Sequence, residues 1–143
     1  MKTPRYKQLI DYLKPKSKKD IIADMQKLSA RELGDELCTI CYHGDTSYIK
    51  LCLDYGANIN FKDKDGWTPL MYACFNNKIE VVKLLIKYGV NINVRNAAGR
   101  TALDKCDYKL YGSEKHVLYN LLRQHGAKLE QELIIEIKKE ITN

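Results

Sequence analysis

The sequence predicts an all-α repeat solenoid, a stack of helix pairs joined by hairpin-like turns. Three observations carry that expectation. A block of residues recurs at an offset of 33. Within each block the apolar residues follow a helical period and not the alternation of a strand. A single helix pair cannot bury its own apolar face, so each unit must stack on a neighbour.

The register is set by writing Asp63-Lys-Asp-Gly66-Trp67-Thr68-Pro69-Leu70 above Asn96-Ala-Ala-Gly99-Arg100-Thr101-Ala102-Leu103, where Gly, Thr and Leu coincide. The same offset carries Tyr55-Gly56 onto Tyr88-Gly89 and Asn58-Ile59-Asn60 onto Asn91-Ile92-Asn93. It also carries Leu37 onto Leu70, Cys41 onto Cys74, Ile49 onto Val82 and Leu51 onto Leu84. Gly126-Ala127 follows Gly89 by 37, which places about four inserted residues between Tyr108 and Glu114 of the third unit.

Residues 1–32 stand outside this register. Tyr6, Leu9, Ile10 and Leu13, then Ile21, Ile22, Met25 and Leu28, predict two short helices over 5–13 and 20–28, separated by Lys14-Pro15-Lys16. The segment reads as a divergent N-terminal cap or as a flexible basic appendage. Three units follow over 33–128. In the second, Thr68 is the expected N-cap and Pro69 opens the first turn, where its missing N–H costs nothing. Val81, Val82, Leu84, Leu85 and Tyr88 trace one face of the next helix, and Gly89 ends it in the left-handed conformation. The polar stretches Asn58–Gly66 and Asn91–Gly99 are too short for a further helix and predict turns. The first unit has Leu33-Gly34-Asp35-Glu36 where the others have the Gly-x-Thr turn. Over 129–143, Leu129, Leu133, Ile134, Ile137 and Ile141 form an apolar stripe, predicting an amphipathic helix that closes the C-terminal end of the stack.

Asp63-x-x-Gly66-x-Thr68-Pro69-Leu70-x-x-Ala73, then Val81-Val82-x-Leu84-Leu85, then Gly89-x-Asn91-Ile92-Asn93 resemble the ankyrin repeat. The third unit departs from that pattern, with Ala102 for Pro and Asp104-Lys105-Cys106 for His-x-Ala. The resemblance implies an ankyrin-type solenoid. It further implies that turn tips and the exposed side of the first helices form a concave surface that holds a partner protein. On that pattern the tip residues are Lys64, Asp65 and Trp67, then Ala97, Ala98 and Arg100. Near the end of each first helix the offset aligns Tyr42, Phe75 and Tyr108, followed by His43, Asn76 and Lys109. The three aromatics are either a ladder across the groove or packing between units. Trp67 is either a contact residue or a brace for the neighbouring turn.

Other chemistries find less support. The 143 residues are 45% hydrophobic and 29% charged, an ordinary globular composition. The stretch after Met1–Arg5 lacks an apolar segment and a small-residue cleavage site, and the five cysteines are odd in number. These features predict reduced thiols in a cytoplasmic protein. No apolar run reaches the roughly 18 residues of a membrane span. Cys38-x-x-Cys41 has the spacing of half a zinc site, but no second ligand pair recurs. The cysteines instead fall in core register, so no metal and no cofactor is expected. His43, His116 and His125 are scattered, and no triad, nucleophile elbow or phosphate loop occurs, so no enzyme is expected.

The formal charge of +6 sits in residues 1–31, which hold nine Lys/Arg against three Asp. Lys14, Lys16, Lys18 and Lys19 could neutralise phosphates, which makes binding of nucleic acid or an anionic surface the competing function. Lys outnumbers Arg 19 to 5, however, and Arg is the residue that reads bases. The sequence therefore predicts a monomeric, non-catalytic scaffold whose partner is another protein.

Overall fold

The computed structural model describes residues 18–106 and 113–143. Eight helices and no strand occur among them. They are α1 (Lys18–Met25), α2 (Ala30–His43), α3 (Thr46–Asp54), α4 (Pro69–Phe75), α5 (Ile79–Lys87), α6 (Ala102–Lys105), α7 (Ser113–Gln124) and α8 (Glu130–Thr142). Helices α2 and α3 form the first unit, α4 and α5 the second, and α6 and α7 the third. The fold is thus the expected all-α solenoid. The helix expected over 5–13, Lys14, Lys16 and most of the insertion between Tyr108 and Glu114 lie outside the described residues.

Local chemistry explains where the helices begin. Thr68 is the N-cap of α4: its hydroxyl accepts the Met71 N–H at 3.3 Å, and Pro69 stands at the first position. Thr101 and Asp104 form a capping box on α6. Helix α2 starts earlier than the 33-residue register implies. Ser29 caps it, and the Glu32 carboxylate accepts the Ser29 N–H at 2.8 Å. This capping box adds a turn that the other first helices lack. Gly34 then lies inside the helix, where an added Cβ would overlap the Phe61 ring. Phe61 therefore occupies the space that a larger residue 34 would take.

The turns repeat atom for atom. Asp63 Oδ1 accepts the N–H groups of Asp65 and Trp67, both at 2.9 Å. Asn96 Oδ1 accepts those of Ala98 and Arg100 at 3.0 and 2.9 Å. The two tips are joined by the Ala97 N–H donating to Asp65 O at 3.0 Å. That approach requires glycine at 66, which has φ +76° and whose added Cβ would meet Ala97 N at 2.8 Å. The second Asn of each Asn-Ile-Asn bridges to the following unit. Asn60 Oδ1 accepts the Asn91 N–H, and Asn93 Oδ1 accepts the Lys128 N–H, both at 2.8 Å.

A single core runs through the stack, from Met25 through Leu37, Ile49, Leu70, Leu85 and Leu103 to Leu122. Of the expected face of α5, Val81, Val82 and Leu85 are buried and Leu84 is partly so, whereas Tyr88 is exposed at the C-cap. The C-terminal stripe departs from expectation. Leu129 packs against the core, but no residue of α8 is buried, and Ile137 and Ile141 are 46% and 77% exposed. The reason lies in how α8 is held. Its anchors fall within 128–136: Glu130 to Arg100 at 3.2 Å, Glu132 to Arg123 at 2.8 Å and Glu136 to Lys128 at 2.7 Å. These contacts tether the first turns and leave the far end of the stripe projecting past the third unit.

Leu85→Ala, which empties a fully buried site, should cost about 2–5 kcal/mol of stability. Ile141→Lys should change it by no more than about 0.5 kcal/mol. Urea unfolding of both variants measures this. A large loss from Ile141→Lys would show that the stripe is covered along its whole length.

Candidate partner-binding face

The first helices and the turn tips share one face, and aromatic side chains converge there. Trp67 lies 5.0 Å from the Tyr72 ring and 5.6 Å from the Phe75 ring, centroid to centroid. Tyr72 in turn stands edge-on to Tyr42 at 6.4 Å, across the boundary between the first and second units. Phe75 is 49% exposed, an unusual setting for a large apolar ring that the core does not use. Lys105 of the third unit places its Nζ 4.1 Å from the centre of the Trp67 ring. Burial and the neighbouring Arg100 lower the pKa of that ammonium.

Tyr72 is fixed from below by the turn. Its hydroxyl donates to Asp63 Oδ2, the free oxygen of the carboxylate whose partner oxygen closes the tip. Burial first, then this hydrogen bond, raises the Tyr72 pKa. Beside it, Asp35, Cys38, Thr39, Tyr42, Asp63 and Tyr72 line a pocket of about 330 Å³.

The expected site residues are placed unequally. Tyr42, Trp67 and Phe75 come together in the cluster. Lys64 and Asp65 are exposed on the neighbouring tip. His43 is partly buried, its ring 5.0 Å from Tyr42. Asn76 is engaged between units, its Nδ2 donating to Tyr42 O at 2.6 Å. Arg100 is half exposed and bonded to Glu130 of α8. Tyr108 and Lys109 lie outside the described residues. Sequence reasoning missed Tyr72, Lys105, Thr39 and the two aspartates. A signal was present: Thr39, Tyr72 and Lys105 share the 33-residue offset. They stand three residues before Tyr42, Phe75 and Tyr108, a spacing that shares a helix face.

The five cysteines are buried and unpaired. Among the described residues no group of three His, Cys, Asp or Glu stands close enough to hold a metal ion, and no helix is long and apolar enough to cross a membrane. Burial raises the thiol pKa of Cys38, Cys41 and Cys74, and pushes that of Cys52 up to about 12. These buried thiols are inert, because the thiolate is the reactive species.

A match to a sequence model of ankyrin repeats, in three copies, spans residues 37–132. No curated protein matches the chain.

The raised thiol pKa values carry a pH dependence. Unfolded thiols ionise near pH 8.5 while the folded ones stay protonated, so the unfolded state binds fewer protons and stability falls as pH rises. The contribution is complete below pH 8.5 and is lost progressively above it. Urea midpoints at pH 7.5 and pH 10 should show the decline, and native thiols should react with an aromatic disulfide reagent only after unfolding. Rapid labelling of the native chain would contradict the burial.

Proposed function

This chain belongs to the ankyrin-repeat family, and we propose that it is a scaffold holding a partner protein on the face formed by its first helices and turn tips. Ankyrin repeats are generally protein–protein interaction modules and are typically non-catalytic. The observation that carries the reading is the aromatic group of Tyr42, Tyr72, Trp67 and Phe75, which spans two units and is partly buried except for the half-exposed Phe75. Rings of this kind dominate binding hot spots, because they bury a large, stiff area for few rotatable bonds. Tyr42, Tyr72 and Phe75 sit on helices and Trp67 on the turn that Asp63 closes, which supports a preformed surface.

The contact is expected to centre on Phe75 and Trp67, with Tyr42, Lys64 and Asp65 around them. Asn76 and Arg100 are then supports, since each already touches a neighbouring element, and His43 stands edge-on to Tyr42. Three units make a short groove, so specificity rests on few side chains. The chain is read as acting as a monomer in the cytoplasm.

The test is to capture the partner from the native cell and measure its affinity for the parent chain and for Phe75→Ala. Loss of a central hot spot should weaken binding by about 2 kcal/mol or more, roughly thirtyfold. The melting temperature should hardly move, because the ring is half exposed. Trp67 is the only tryptophan, and its emission should shift when the partner covers it. Unchanged affinity in Phe75→Ala together with unchanged Trp67 emission would place the partner elsewhere.

A further inference from the structure

We propose that the pocket between α2 and α4 receives an arginine side chain of the partner, its guanidinium seated between Asp35 and Asp63 against the rings of Tyr42 and Tyr72. The proposal rests on the partner-binding reading above and names what one part of that face recognises.

The lining states the chemistry. Helix α2 supplies Asp35, Cys38, Thr39 and Tyr42, the turn supplies Asp63, and α4 supplies Tyr72. Two of the six are carboxylates and two are aromatic rings, and no Lys, Arg or His is among them. Both carboxylates line the pocket together with the buried Cys38. Neither forms an ion pair within 4 Å among the described residues, where the ion pairs lie elsewhere. The chain carries a formal charge of +6, yet the residues that line this pocket hold two carboxylates and no cation. Lys105 is held over Trp67 and does not line the pocket, and Arg31, Lys62 and Lys64 share a neighbouring cleft with Asp63 without entering this one.

Asp63 is fixed by three donors: two backbone N–H groups and the Tyr72 hydroxyl. It brings a charge that does not have to be ordered on binding. Asp35 is exposed on α2 and free to turn toward an incoming group. A volume of about 330 Å³ admits one long side chain and little more.

Arginine fits this lining better than lysine. Its planar cation stacks on an aromatic face and can meet a carboxylate through two N–H groups at once. The molecule sets one of its own arginines between a tyrosine and a carboxylate, with Arg123 Nε and Nη2 also donating to the Tyr119 hydroxyl at 3.2 and 3.1 Å. Arg123 lies over the Tyr119 ring, 5.4 Å from its centroid, and its Nη1 donates to Glu132 at 2.8 Å. In the pocket the ring and the carboxylates are present and the guanidinium must come from outside.

The experiment is an NMR titration of the ¹⁵N-labelled chain with three capped tripeptides, Ac-Gly-Arg-Gly-NH2, its Lys analogue and its Gln analogue. The Arg peptide should give saturable shifts centred on Asp35, Thr39, Tyr42 and Tyr72. The Lys peptide should bind more weakly and the Gln peptide not measurably. Asp35→Asn should weaken the Arg peptide by about threefold to fivefold, the scale of one exposed ion pair. Asp54→Asn, on α3 and paired with Lys50, should leave it unchanged. Scattered, unsaturable shifts, equal binding of Lys and Arg, or an unaffected Asp35→Asn variant would overturn the proposal. If the Arg peptide fails while Phe75→Ala still releases the captured partner, the groove reading stands and the arginine assignment falls. If the Arg peptide binds at the pocket while Phe75→Ala retains the partner, the arginine site stands and the partner surface must be redrawn.

Discussion

The stacking of one first helix on the next, α2 on α4 and α4 on α6, is the contact on which the remaining structure depends. Helices come this close only where their facing side chains are small. Here those residues are Cys41, Ala73, Cys74, Ala102 and Cys106, all buried. Cys41, Cys74 and Cys106, one from each unit, are all buried in the same core. Cysteine serves there as a small hydrophobe. The larger residues, Leu37, Leu70 and Leu103, then fill the space between each first helix and the second helices behind it.

Because the units meet so closely, their edges fall into register, and the register is locked by polar side chains at the rim. Asn60 and Asn93 each reach across to a backbone N–H of the next unit. Asp63 and Asn96 close the tips, and Asp65 O accepts the neighbouring tip's N–H. Such bonds satisfy backbone groups that helices and sheets would otherwise pair. They also fix the aromatic face. Trp67 hangs from a turn whose geometry Asp63 sets, and Tyr72 is tied to that same carboxylate. A rigid back and rim thus support a short front surface whose side chains differ from unit to unit.

That division explains what could be read from the sequence. The 33-residue register located the turns, the Thr68–Pro69 helix start and the Gly89 helix end, because these positions have steric demands that few residues meet. The same logic was blind to Tyr72. Its register mates are Thr39 and Lys105, three side chains with nothing in common, and repetition of residue type is what a register detects. Yet unlike residues on one face of a regular scaffold are what give a binding surface its identity. The early start of α2 was written in Ser29-Ala30-Arg31-Glu32, a capping box that alignment on the later units obscured. For α8, periodicity identified an apolar stripe but could not say how far the third unit extends beneath it. Ion pairs with Arg100, Arg123 and Lys128 decide that, and an apolar period does not report charged partners.

On the proposed reading, the face of α2, α4 and the turn over 61–68 meets the partner, while α3 and α5 form the back. Hydrogen–deuterium exchange by mass spectrometry, with and without the captured partner, tests this most directly. Peptides covering 35–43 and 61–76 should exchange more slowly when the partner is bound, with unchanged exchange over 46–54 and 79–87. Protection concentrated on 46–54 and 79–87, with none over 61–76, would contradict it.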